Sequence, residues 1–192
     1  MRFQRLMERF VASFALCVML VVGLPGNHAV FAGEDDDVER FVKMGGAVER
    51  EENLPGKPVH WAWLGNDFHG DFAEAVSLLP PTVRSLVFDE SNIKDADFSK
   101  VSLSRFSDLQ MLSLGFNPDI TGQSLKPLAS LPKLPWLILR NTSVRDDDLI
   151  MVNSVKMLSI LDLTDCEISD RGIALLDLPQ LSVLNQIGRA HV

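Results

Sequence analysis

Residues 134–144, LPWLILRNTSV, and residues 158–168, LSILDLTDCEI, are written on one frame. Each runs Leu, two variable residues, Leu, one variable residue, Leu, and then reaches Thr142 or Cys166, closed by Val144 or Ile168. An acidic, turn-like tetrad and a second apolar run follow each copy, RDDDLIMV at 145–152 and SDRGIALL at 169–176. A pattern that returns at a fixed interval predicts stacked copies of one structural unit.

The first residue of the inner pair recurs as Trp61, Leu86, Leu112, Leu137, Leu161 and Leu184, in steps of 25, 26, 25, 24 and 23 residues. Its companion two residues later is Trp63, Phe88, Leu114, Leu139 and Leu163. Alternate residues of an extended strand point to one face, so each pair predicts a short strand with those two side chains turned into a core. A polar or small residue follows at Asn66, Ser91, Asn117, Thr142 and Cys166, where a side chain can satisfy backbone groups in the bend. The apolar plugs are Phe68, Ile93, Ile120, Val144 and Ile168, and Asn117–Ile120 carries one extra residue, which predicts a bulge in that turn. After each plug, a Ser, Asp or Gly opens a stretch with helical apolar spacing, which predicts short helices or single turns on the outer side. One unit cannot bury its own leucines; stacked units share a continuous core.

Ahead of the array, Val38, Phe41, Val42 and Met44 fall at helical spacing, with Asp36 or Asp37 placed to cap the start and Gly45-Gly46 to stop it. Residues 47–52 and 58–63 alternate about an Asn53-Leu54-Pro55-Gly56 turn, predicting a hairpin. Helix and hairpin together would cover the first apolar edge of the array, as the end of a stack requires.

The two ends read differently. Arg2, Arg5 and Arg9, an apolar run from Phe10 to Leu24, the Pro25-Gly26-Asn27 break and Val30-Phe31-Ala32 have the layout of a secretory signal peptide cleaved after Ala32. The run is shorter than the roughly 20 residues of a spanning helix, so no stable membrane insertion is expected after cleavage. At the other end, IGRAHV (187–192) breaks the frame just as Leu181 and Leu184 restart it. It is taken as a non-native tail on an array truncated at its C-terminus. The organisation expected is therefore a signal peptide at 1–32, an acidic leader and N-terminal cap at 33–58, repeats at 59–186 and the tail at 187–192.

The chain carries a formal net charge of −8, and the leader removes three arginines against the single acid Glu8. Such an acidic surface argues against nucleic acid, which needs compensating positive charge. Cys17 lies in the leader and leaves Cys166 alone, so packing and not a disulfide must hold the fold.

Residues 134–149 and 158–173 resemble the bacterial exported leucine-rich repeat proteins, whose units run L-x-x-L-x-L-x-x-T/C-x-I-T/S-D-x-G-L. Residues 41–59 also look like the segment that often precedes such arrays. Trp61–Phe72 departs from the pattern, with aromatics where leucine is usual. The resemblance implies an α/β solenoid with a curved parallel sheet on its concave side and short helices or turns outside. It implies protein–protein contact, with no shared catalytic residues and no cofactor.

The inventory of reactive groups agrees with that implication. No Ser/His/Asp order, HExxH helix, CxxC pair or glycine-rich phosphate loop is present. His60 and His69 flank Trp61 and Trp63, which could line a small pocket but are read as filling the core of the first unit. Asp146-Asp147-Asp148 is read as the acidic start of a helical turn and not as a cation site. No enzyme, metal or cofactor is expected.

The variable strand positions define a surface. Before the first inner residue they read His60, Ser85, Met111, Trp136, Ile160 and Val183; between the pair, Ala62, Val87, Ser113, Ile138, Asp162 and Asn185; after it, Leu64, Asp89, Gly115, Arg140 and Thr164. Met111, Trp136, Ile138 and Ile160 would adjoin across three strands, with Phe116 near and Arg140 and Asp162 at the edge. An apolar cluster holding a tryptophan within a polar rim has the make-up of a protein-binding hot spot. The function expected is an exported, non-enzymatic module that binds an unknown protein partner. The alternatives are a structural spacer in the cell envelope and the repeat arm of a larger protein.

Overall fold

The computed structural model describes residues 34–131 and 133–186. The signal peptide expected at 1–32 and the tail expected at 187–192 lie outside the described residues.

Helix α1 (Glu34–Lys43) lays Val38 and Phe41 into the core, and Met44 packs beside them. It begins at Glu34, so Asp36 and Asp37 lie inside its first turn and do not precede it, where their charges still favour the positive end of the helix. The turn after the helix passes through Gly45, whose φ of +91° glycine adopts without steric penalty. A Cβ there would also lie 2.3 Å from the carbonyl oxygen of Asp67. Arg50 ties the helix down through a 2.5 Å ion pair with Asp35.

Strand β1 (Gly46–Arg50) turns back and pairs antiparallel with β2 (Val59–Leu64), the hairpin expected from the alternation. From β2 onward every neighbour is parallel: β3 (Ser85–Val87), β4 (Met111–Ser113), β5 (Trp136–Ile138), β6 (Ile160–Asp162) and β7 (Val183–Asn185). The seven described strands lie in sequence order. On the far side of the core run α2 (Phe72–Ser77), α3 (Asp95–Phe98), a 3₁₀ helix at Gly122–Ser130, α4 (Leu149–Val152) after a 3₁₀ turn at Asp146–Asp148, and α5 (Asp170–Ile173). Parallel three-residue strands returning every 23 to 26 residues through such turns make this a leucine-rich repeat solenoid.

Leu86, Leu112, Leu137 and Leu161 are fully buried, as are Phe88, Leu114, Leu139 and Leu163 two residues on. The first unit is set one residue away from the sequence reading. Its core residues are Ala62 and Leu64, not Trp61 and Trp63, because Ala62 pairs with Leu86 and Trp61 with Ser85. Inward Val59 and inward Ala62 break strict alternation, and the ladder shifts register opposite them between Glu49 and Arg50. A bulge of this kind changes which residues face inward.

At three of the strand ends, the residue three places after the second core position donates to a carbonyl of the preceding unit. The Ser91 hydroxyl donates to the Leu64 carbonyl at 2.7 Å, Asn117 Nδ2 to Phe88 at 2.7 Å, and the Cys166 thiol to Leu139 at 3.0 Å. Thr142 turns instead to the Leu139 carbonyl of its own unit. Asn66, given the same role by the sequence, is exposed. Burial pushes the Cys166 thiol above its ordinary pKa, with Thr142 opposing the shift. That is the behaviour of an inert packing thiol.

A second ladder uses aspartate. Asp95 accepts from the Thr121 backbone and hydroxyl at 2.9 and 2.6 Å and from the Ser124 hydroxyl at 2.6 Å. Asp146 likewise receives the Ser169 N–H at 2.7 Å, together with its hydroxyl. Between them the equivalent position is Gly122, and Asp148 of the following unit takes over, receiving the Arg145 N–H at 2.9 Å. Its carboxylate occupies the space above Gly122, where a Cβ would lie 2.0 Å from Oδ1.

Burial alone would raise the Asp95 carboxyl, but the Ser124 and Thr121 hydroxyls and their backbone N–H groups outweigh it and hold the pKa below its ordinary value. A folded-state pKa below the unfolded one stabilises the fold above the unfolded value, and the gain is lost as pH falls through the folded one. The Asp95→Asn variant is therefore expected to lose stability at neutral pH and to lie closer to the parent below about pH 4. Urea titrations at both pH values check this; an equal gap at both would remove Asp95 from the acid limb.

Candidate functional site

A sheet packed on a core by one face leaves the other free to meet a partner. Here the free face is written in rows by the strand register. Trp61, Ser85, Met111, Trp136, Ile160 and Val183 are successive partners in one row; Trp63, Val87, Ser113, Ile138, Asp162 and Asn185 form the next. His60, Ala62 and Leu64, assigned to this surface by the one-residue offset, give way to Trp61, Trp63 and Gly65. Trp61 is only 5 % exposed yet lies outside the core cluster, so the two tryptophans do not fill the core of the first unit. The Trp63 ring lies along its strand over Gly65. Of the histidines, His60 is half-buried and His69 is exposed, its Nδ1 3.0 Å from the Asp67 carbonyl.

Met111, Ile138 and Ile160 are half-buried, and Trp136 between them is 38 % exposed. None belongs to the core cluster or packs against it. Trp136 pairs with Met111 on one side and Ile160 on the other, while Ile138 follows two residues along the same strand. The four therefore form one patch on β4, β5 and β6.

Arg140 and Asp162 lie beside that patch in different settings. Asp162 pairs with Ile138 but is only 5 % exposed, and its Oδ1 receives the Thr164 N–H at 2.9 Å. Arg140 stands 3.6 Å from Asp89, and its guanidinium lies 4.7 Å from the centre of the Phe116 ring. Asp89 in turn receives the Gly115 N–H at 2.9 Å and the Ser113 hydroxyl. The arginine is thus held between the aromatic face of the preceding unit and a carboxylate of the unit before that.

Phe116 reaches that position through a left-handed backbone, φ +56°. Glu90, Asn141 and Asp165 adopt the same conformation at the equivalent place in their units, φ +58°, +52° and +60°. This conformation is uncommon for a bulky side chain such as phenylalanine. Sequence reasoning found Phe116 as a neighbour of the patch but not this turn, because none of the four residues is glycine.

The acidic triplet is engaged within the fold. Asp146 serves Ser169, Asp147 pairs with Arg171 at 2.6 Å and Asp148 caps Arg145. Among the described residues no group of three or more His, Cys, Asp or Glu side chains is placed to hold a metal. No helix among them is long and apolar enough to cross a membrane.

No family model matches the chain, and no curated protein matches it. Among solved structures, it is similar to internalin C2 of Listeria monocytogenes, at 26 % identity over 58 % of this chain and 54 % of that one, with a TM-score of 0.43. Internalin F of the same organism matches at 22 % identity over 57 % and 36 %, with a TM-score of 0.39. Both are leucine-rich repeat proteins, the kind the sequence resembles. The chain spans about half the length of the first and about a third of the second.

Proposed function

We propose that this chain is an exported module that binds another protein through the free face of its sheet, centred on Trp136, with residues 34–58 closing the first end of the array. The observation that carries the reading is the patch of Met111, Trp136, Ile138 and Ile160. These apolar side chains stand outside the core on three paired strands, and an aromatic anchor at their centre is exposed. Apolar surface grouped in this way around a tryptophan is a common centre of binding energy. Arg140, Phe116 and Asp162 border it. The side chains in the patch offer contact area and no nucleophile, general base or metal ligand, so the chemistry is recognition. Export rests on the arginine-led apolar run at the start of the sequence.

Trp136→Glu with Ile138→Lys is expected to abolish capture of the partner by the immobilised chain. The unfolding midpoint should move little, because both side chains stand outside the core. Capture that survives the double change, with folding intact, would place the binding surface elsewhere.

A further inference from the structure

We propose that the segment received by this face carries lysine or arginine beside its apolar side chains. The proposal rests on the reading of the face given above and adds the charge of the partner.

The apolar patch is bordered unequally. Glu49, the cross-strand partner of Trp61, shares its side of the sheet but stands on β1, three strands from Met111. Glu90 and Asp165, both exposed, occupy the left-handed turns at the ends of β3 and β6. Asp89 and Asp162 lie between these turns and the patch. Against these carboxylates the border offers two guanidiniums. Arg140 is already held by Asp89 and the Phe116 ring, and Arg84 is exposed just before β3. Among the described residues, Glu49, Glu90 and Asp165 enter no ion pair with a lysine or arginine. Elsewhere Asp147 pairs with Arg171, Asp177 with Lys156 and Asp119 with Lys94, while exposed Asp108 and Asp170 enter no ion pair among the described residues. Glu90 and Asp165 are thus left without an ion-pair partner at the border of the exposed apolar patch.

An acidic segment entering here would bring like charges together as water is removed, whereas a basic one completes the charges already present. Lysine and arginine also suit the geometry, because their aliphatic stems cover apolar surface while their heads reach outward. Trp136, Ile138 and Ile160 would take the apolar side chains, with the cations lying toward Glu90 and Asp165.

Three tryptophan-free amphipathic peptides of equal length and leucine content, with lysine, glutamate or serine as the polar residue, test this against the intact chain. Binding is followed by calorimetry and by the emission of Trp136, the most exposed of the three tryptophans. The Leu/Lys peptide is expected to bind at least about tenfold more tightly than the Leu/Glu peptide at low salt, the gap narrowing as NaCl is raised. Glu90→Lys with Asp165→Lys, both at exposed turn positions, is expected to shrink or invert that gap. Equal affinities, a preference for Leu/Glu, a gap that ignores the charge reversal, or no binding of Leu/Lys would each overturn the proposal. Trp136→Glu separates the two readings. Loss of all peptide binding in that variant without charge preference in the parent leaves the face and removes the basic partner. Binding unaffected by Trp136→Glu removes both.

Discussion

Replacing Asn117 with alanine is expected to destabilise the chain by about 2–4 kcal/mol, more than most single polar substitutions. Asn117 is fully buried. Its Nδ2 donates to the carbonyls of Phe88 at 2.7 Å, Leu114 at 3.0 Å and Gly115 at 3.0 Å, while Oδ1 accepts from the Ile93 N–H at 3.2 Å. One amide thus satisfies backbone groups of two units, in a bend where the chain cannot pair them itself. Alanine would leave at least the Ile93 donor and the Phe88 acceptor buried without this partner, and each orphan costs about 1–3 kcal/mol. Threonine, which stands at the equivalent place as Thr142, can replace one bond but not the paired donor and acceptor. Asn117→Thr should therefore fall between the two. Denaturant unfolding measures the loss, and hydrogen exchange at the Ile93 amide localises it. A loss below about 0.5 kcal/mol with unchanged Ile93 exchange would show that water or a backbone shift replaces the amide.

The contrast between Asn117 and Asn66 shows what was legible beforehand. From Leu86 to Leu184 the repeat step and the Leu-x-Leu pairs predict both the strands and the direction of their side chains, because period two leaves no other way to bury two leucines. The plugs Ile93, Ile120, Val144 and Ile168 follow, and all are buried. The helix and hairpin before the array were equally visible. The first unit was not, because VHWAWL supports two alternations that differ by one residue. Composition favours burying the tryptophans, while the pairing of Ala62 with Leu86 buries the smaller residues. The bulge opposite Arg50 reconciles Val59 with Ala62, and a single sequence carries no mark of it.

For the site, the register that makes Met111, Trp136, Ile138 and Ile160 neighbours could be derived from spacing alone. Their standing clear of the core, the depth of Asp162 and the holding of Arg140 by Asp89 and Phe116 could not. Those depend on how closely units stack, and stacking distance leaves no periodic trace. The aspartate ladder lies between these cases. Asp95, Asp146 and Asp170 recur at one position, but their role appears only when each is paired with the following unit. Asp95 finds Thr121 and Asp146 finds Ser169. Such contacts couple neighbours, which is how a quasi-one-dimensional stack gains cooperativity.

The same coupling makes Phe72 the second sensitive position. Phe72→Ala is expected to cost about 3–5 kcal/mol. Phe72 is 4 % exposed, and its ring centre lies 5.0 Å from that of Phe88 in an edge-to-face contact. Phe98 lies at 6.2 Å and Phe68 at 6.4 Å. Phe68 and Phe72 belong to the first unit, and Phe88 and Phe98 to the second. Aromatics thus occupy the junction where the sequence departs from leucine, and one truncation opens a cavity shared by both units. Leucine should recover part of the loss, since it restores apolar volume without the ring contacts. If units are stabilised mainly by their neighbours, hydrogen exchange should quicken first at the amides of β2 and β3, with those of β5 and β6 less affected. Uniform acceleration across all strands would instead show that the described array unfolds as a single unit. A loss under about 1 kcal/mol would mean that the junction closes around alanine, and that backbone pairing rather than ring packing holds the first two units together.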